Sequence, residues 1–332
     1  MNEAELRAFR QALESSPSLF PLQLSADGKV AQFVHLAAAD FQAASFLDGR
    51  IMGQGRQSAL VAMEDLRAAA GPMAPNCDFI FHISHCGSTL ISRLLGAHPS
   101  LLSVREPAIL RAFPQWSSTA DQSLFLGLWS RTFEPGQRAI LKATSFVAEI
   151  AASLLTLVPS ARALCVYVPL ATFLPSLLGG AMSDIEHQAI ARYRRLQRQG
   201  LLDEQDFDRL SPGEKVAMSW LAEMLSLADA QQRFPQRTRW IDFDALLAAP
   251  AQSFDQLGCW LGLGRDLLQI LDSPIMQRYA KKTEVAYDAT FRRELLRQSQ
   301  DQHAEEISRG LIWVARTILP EHSCRLPLNC WK

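Results

Sequence analysis

An α/β fold, built as a mainly parallel sheet with helices on both faces, is what this sequence predicts, and three observations predict it. Short apolar runs recur along the chain, they alternate with helix-length segments, and each is nearly continuous in apolar character. Continuous runs suit strands covered on both faces, and strand–helix alternation implies parallel pairing. The first run spans Phe79 to Ser84. His85-Cys86-Gly87 then turns the chain, and Ser88 to Leu95 reads as a helix. A second strand, Leu101 to Val104, ends at Arg105-Glu106-Pro107, and a third, Arg138 to Leu141, ends in Lys142. A helix from Ser145 to Leu157 leads through Val158-Pro159-Ser160-Ala161 to a fourth strand, Ala163 to Val168. Arg239 to Phe243 makes a fifth.

The chain has 332 residues, 48% hydrophobic and 20% charged, which suits one large α/β domain with an extension. Residues 1–75 read as that extension, with a strand over Lys29 to Leu36 and a helix over Ser58 to Ala70. Ala-Gly-Pro-Met-Ala-Pro then breaks the chain, and residues 76–332 form the α/β domain. The polar stretch from Asp184 to Pro212, with Arg192, Arg194, Arg195 and Arg198, reads as a helical lid or exposed helix. A formal charge of -1 gives no overall field for a nucleic-acid backbone or an anionic membrane, so neither is expected as a partner. The opening residues lack a basic-then-apolar leader pattern, and Pro159, Arg162, Pro169 and Pro175 interrupt the most apolar stretch. A soluble, cytoplasmic protein is expected. Its six cysteines show no CxxC spacing and read as reduced thiols.

In such a sheet, ligands bind beyond the carboxyl ends of the strands. The leading amides of a helix lack internal partners and carry partial positive charge, so the Phe79 to Leu95 unit offers an anion site. Gly87 lets the backbone approach closely, and Ser88 and Thr89 add hydroxyls. An ordinary Ser-capped helix after a tight turn is the other reading. The loop does not match GxxxxGK[ST], because serine rather than lysine follows Gly87.

From here the chain resembles the sulfotransferase superfamily. His85-Cys86-Gly87-Ser88-Thr89-Leu90-Ile91 is similar to the family's [RK]-[ST]-G-[ST]-[ST]-x-L loop for the 5′-phosphosulfate group. Ala97-His98-Pro99 followed by Glu106 is similar to the AHP…E run of protein tyrosine sulfotransferases. Lys142 falls at a strand end where the family often has lysine, and Pro159-Ser160-Ala161-Arg162 is similar to its entry to the next strand. Trp240 to Pro250, with Trp260-Leu261-Gly262-Leu263, completes a resemblance covering about Asp78 to Leu263. It implies a P-loop-like three-layer architecture and 3′-phosphoadenosine 5′-phosphosulfate (PAPS) as donor to a small-molecule or peptide acceptor, with no metal. Cys86, Gly87, Ser88 and Thr89 would then hold the phosphosulfate and Ser176 the 3′-phosphate. Glu106 would be the general base, with His85 and Lys142 offsetting developing charge. Histidine stands where the family has arginine or lysine. Val168 stands where it has the arginine that grips the 3′-phosphate, leaving Arg162, Arg192 or Lys281 as substitutes.

Other readings remain beside these. Glu106 could pair with Arg105, Lys142 could be a solvated strand end, and His82 and His98 read as packed histidines. Gln277 to Thr283 reads as a solvated helix face or a flap over the nucleotide. Magnesium-dependent phosphotransfer from ATP is the rival enzyme reading, and a non-catalytic nucleotide-binding relative is a third.

Overall fold

The computed structural model describes every residue except 54, 72, 181, 203–206, 278–288, 319–322, 329 and 332. The cations Arg278, Lys281 and Lys282 therefore lie outside the described residues. The front section opens with α1 (Glu3–Ser15), whose Asn2 and Glu5 cap each other's amides. Strands β1 (Leu19–Leu24) and β2 (Val30–His35) follow, then α2 (Ala38–Ala43). Next, β3 (Ser58–Ala62) runs directly into α3 (Met63–Ala70). The three strands form an antiparallel sheet in the order β1-β2-β3. The helix expected over Ser58 to Ala70 is thus half strand. Ser58-Ala59-Leu60-Val61-Ala62 has no strong helical bias, and pairing with β2 decides its state.

The second sheet carries the site. Its strands are β4 (Cys77–His82), β5 (Leu101–Arg105), β6 (Arg138–Lys142), β7 (Ala163–Tyr167) and β8 (Thr238–Asp242), all parallel, in the order β5-β6-β4-β7-β8. Every residue of β4, β5 and β7 is buried, as their continuous apolar character requires. The helices between them are α4 (Ser88–Leu95), α5 (Thr119–Trp129), α6 (Ala151–Leu157), α7 (Leu170–Leu178), α8 (Met182–Arg198) and α9 (Pro212–Arg233). After β8 come α10 (Phe243–Ala248), α11 (Pro250–Leu261), α12 (Ala289–Gln302) and α13 (Ala304–Thr317). The helix expected over Ser145 to Leu157 begins as a tighter 3₁₀ segment, Ser145–Ile150, where it packs against α9.

The strand order explains where a ligand can enter. From β4 the chain passes over β6 to the edge strand β5 and returns to β6. It then passes over β4 to β7. The direction of winding reverses around β4, and in open sheets of this kind ligands bind beyond the carboxyl ends of the strands at such a point. Among the described residues, no helix is long and apolar enough to cross a membrane.

The helices α8 and α9 are joined by charge inside the protein. Glu223 is fully buried and accepts from Arg192 Nε at 2.6 Å and from Arg195 Nη1 at 3.1 Å. These two arginines, read from sequence as part of a lid or exposed helix, are buried and share the Glu223 carboxylate, and Arg195 also pairs with Glu149 at 3.2 Å. Removing one partner of such a set strands the others away from water. Glu223→Ala should therefore cost about 3–5 kcal/mol, read as a lowered midpoint in urea unfolding.

Candidate active site

Three strand ends converge at the carboxyl edge of the sheet, and the sheet register sets their spacing. β6 lies between β5 and β4, pairing Lys142 with Arg105 on one side and with Ile80 on the other. The Glu106 amide donates to the Lys142 carbonyl at 2.8 Å, continuing the ladder past β5. Lys142 Nζ can then reach the Glu106 carboxylate and donates to its Oε1. His82, the last residue of β4, completes the cluster. Its Nε2 lies 3.2 Å from Lys142 Nζ and 3.7 Å from Glu106 Oε1. Lys142 is 1% exposed, His82 5% and Glu106 8%, so the three groups interact in a poorly screened environment. Burial alone would raise the Glu106 pKa. The charge of Lys142 and the neighbouring His82 outweigh that and hold it well below the usual carboxylate range.

The loop between β4 and α4 is the second part. Ser84 has φ 69° and His85 φ 45°, and Gly87 takes the left-handed conformation at φ 70° as the N-cap of α4. Glu106 has φ 48°. Among the described residues, these are the three non-glycine residues with positive φ, and all three stand at the carboxyl ends of β4 and β5. Such conformations cost of order 1–3 kcal/mol each and collect at functional sites. Gly87, as N-cap, brings no capping side chain to the start of α4, an end of a helix that favours an anion. The Phe243 ring packs on Gly87 so tightly that a Cβ there would lie 2.1 Å from it.

The expected residues are not all used as expected. Gly87 is at the turn, and Ser88 and Thr89 open α4 with their side chains buried. Cys86 points inward. Its thiol donates to the Val166 carbonyl at 3.3 Å and burial pushes its pKa up to about 11, so only its backbone faces the loop chemistry. His85 is exposed on the loop. Ser176 lies within α7 and donates to its own helix, at the Phe173 carbonyl, 2.8 Å away. Val168 is fully buried. Of the substitutes, Arg192 is held by Glu223, and Arg162 donates to the Trp260 carbonyl at 2.6 Å.

Arg105 does not pair with Glu106. It turns the other way, and its guanidinium donates to the carbonyls of Phe41, Gln42 and Ala44, tying β5 to the front section. Another arginine faces Glu106 instead. Arg111 Nη2 lies 4.0 Å from Glu106 Oε2 and 3.8 Å from Asp48 Oδ2, with its side chain 48% exposed. Arg111 and Asp48 were not singled out in the sequence, and His82, read there as a packed histidine, is buried within the cluster. For His82 a signal existed, because it ends the strand beside the one that ends in Lys142.

No protein-family model matches this sequence, and no curated protein matches it. Solved structures do, with 27 matching chains. The sulfotransferase domain from the curacin biosynthetic pathway is 17% identical, with a TM-score of 0.41, covering 74% of this chain and 99% of its own. The sulfotransferase from Alicyclobacillus acidocaldarius is 18% identical, with a TM-score of 0.36, over 75% of this chain and 98% of that one. The sulfotransferase domain of the Synechococcus PCC 7002 olefin synthase is 17% identical, with a TM-score of 0.39, over 77% and 92%. Likeness at these identities and scores leaves function to be read from the site itself.

Two outcomes follow from the geometry. Gly87→Ala forces a side chain into the left-handed region and into Phe243, so it should cost about 2 kcal/mol or more and lower the melting temperature. The lowered Glu106 pKa stabilises the fold fully above the ordinary carboxylate value of about 4.3, and this contribution is lost as pH falls below it. Glu106→Gln should therefore lose less stability than wild type between about pH 5 and pH 2, measured by urea midpoints across that range.

Proposed function

We propose that this protein is a sulfotransferase, moving a sulfuryl group from the 5′-phosphosulfate end of an adenylyl donor, PAPS, to a hydroxyl or amine of a small-molecule or peptide acceptor. One observation carries the reading. A buried Lys142–Glu106 pair, with Glu106 in a strained conformation, stands beside a strained loop that feeds the uncapped start of α4.

In this scheme the leading amides of α4 hold the phosphosulfate, and Gly87 permits the approach. Lys142 turns from Glu106 toward the sulfuryl oxygens. That leaves Glu106 as the base that takes the acceptor proton, and its affinity for the proton rises once Lys142 has moved. The acceptor oxygen or nitrogen bonds to sulfur as the bond from sulfur to the phosphate oxygen breaks. His85, exposed on the loop, offsets charge at that departing phosphate oxygen. Positioning and electrostatics supply the rate, as in phosphoryl transfer.

The residues fit the 5′ end of the donor better than its 3′-phosphate, because Val168 is apolar and Ser176 is bonded to its own helix. That favours keeping a second reading, magnesium-dependent phosphotransfer from ATP on the same loop. Calorimetry separates the two. Binding of adenosine 3′,5′-bisphosphate without magnesium is expected, and binding of magnesium–ATP alone would sink sulfotransfer. Glu106→Gln should keep the bisphosphate affinity within about threefold, while sulfate release from PAPS, with water as acceptor, drops by about 10²-fold or more. Unchanged release in that variant would favour a non-catalytic nucleotide-binding role or a different base.

A further inference from the structure

His82 touches both halves of the site, and the scheme above gives it no task. Its Nδ1 accepts from the Ser84 amide at 3.1 Å, two residues along, inside the strained loop. Its Nε2 faces Glu106 Oε1 and Lys142 Nζ, at 3.7 and 3.2 Å. We propose that His82 is a positioning residue that couples the anion-binding loop to Glu106, with one ring nitrogen serving each. This rests on the sulfotransfer reading and goes beyond it.

The ring's chemistry makes the coupling directional. A nitrogen that accepts from an amide carries no proton, so a neutral imidazole bonded to Ser84 keeps its one proton on Nε2. The Nε2–H then lies between the Glu106 carboxylate, 3.7 Å away, and the Lys142 ammonium at 3.2 Å, a second donor that keeps it from closing on Glu106 while Lys142 is in place. Protonating Nδ1 as well would set two donors, Nδ1–H and the Ser84 amide, against each other. The charged groups around the ring pull against each other. Glu106 after β5 attracts the Nε2–H, with Arg111 4.0 Å beyond it, while Lys142 on β6 opposes both that proton and a second positive charge until it turns away. Burial leaves the ring little room to turn, so movement at Ser84 is carried to Nε2.

The 3.7 Å gap from Nε2 to Glu106 exceeds a hydrogen bond and sits beside the Lys142 contact that occupies Oε1. When Lys142 turns to a donor, Glu106 loses that contact, and the Nε2–H is the group placed to close on it. His82 thereby holds the base in position after the lysine has left. A donor anion that draws on the Ser84 amide is felt at the base through the same ring.

Two substitutions divide the two bonds. In His82→Asn the side-chain oxygen replaces Nδ1 as acceptor for Ser84 but nothing reaches Glu106. In His82→Gln the longer amide reaches Glu106 and the Ser84 bond is lost. His82→Asn should bind adenosine 3′,5′-bisphosphate within about threefold of wild type, while its kcat for sulfate release from saturating PAPS falls about tenfold or more. His82→Gln should bind the bisphosphate about tenfold more weakly and keep more of its kcat than His82→Asn. Both variants changing both quantities alike, or neither changing either, would overturn the coupling. Wild-type protein that neither binds the bisphosphate nor releases sulfate overturns the sulfotransfer reading itself, and the coupling with it. Should a variant fail to fold, nitrogen NMR of ¹⁵N-histidine-labelled wild type decides the matter. A neutral ring protonated on Nε2, whose Nδ1 signal moves when bisphosphate is added, is expected. A ring protonated on Nδ1, or one indifferent to the ligand, counts against it.

Discussion

A charged lysine that is 1% exposed needs a partner within reach, and for Lys142 that partner is Glu106. Taking either ion out of water costs several kcal/mol, and the contact between them recovers that only if their geometry is held. Three parallel strands hold it. β5 and β4 flank β6 in a register that sets Arg105 and Ile80 level with Lys142, with His82 two residues further along β4, and Glu106 extends the ladder by one more hydrogen bond. An ion pair of this kind is a poor way to gain stability, since an apolar pair of similar volume would serve as well. Its presence at the point where the winding reverses, beside strained backbone, is better explained by chemistry than by packing.

The strain has its own structural support. Ser84, His85 and Glu106 each adopt a conformation that the surrounding contacts must enforce. The Ser84 amide is held by His82, Gly87 is pressed by Phe243 from the end of β8, and Glu106 is held by Lys142 through both backbone and side chain. Phe243 is positioned in turn by Asp242, whose carboxylate caps α10 by accepting from the amides of Asp244 and Ala245. The loop's shape therefore depends on β4, β5, β6 and β8 together. No isolated strand–loop–helix segment would keep it.

What the sequence made legible follows from how local each signal is. Ser88 to Leu95 and the turn at Gly87 were readable because a glycine and a helical run of small and branched residues act within a few positions. The strands of the main sheet were readable because burial on both faces writes a continuous apolar run. Ser58–Ala62 was not, since its state is decided by β2, some thirty residues away in sequence. In the site, Glu106 and Lys142 stood at strand ends that could be found, but their contact depends on strand order, which propensity does not give. Arg105 illustrates the limit. It neighbours Glu106 in sequence, yet alternation along the strand sends it to the front section.

The supply of positive charge near Glu106 bears on the sulfotransfer reading proposed above. Arg192 and Arg195 are committed to Glu223, and Arg105 to carbonyls of the front section, so an arginine count overstates what the site can offer. Among the described residues, the cations near Glu106 are the buried Lys142, the half-exposed Arg111 and Arg50, the last paired with Asp48, beside the partial charge of a helix start, about half an elementary charge. A terminal phosphate carries close to two negative charges at neutral pH, whereas a terminal sulfuryl group carries one. Glu106 already balances the lysine before a ligand arrives, which leaves a modest positive surplus rather than a strong one. In the proposed reading the sulfuryl group is the lesser demand, and the phosphate beside it, with a charge of its own, draws on the leading amides of α4. The loop's serine, in the place where an NTP-binding loop has its lysine, is consistent with the same economy of charge.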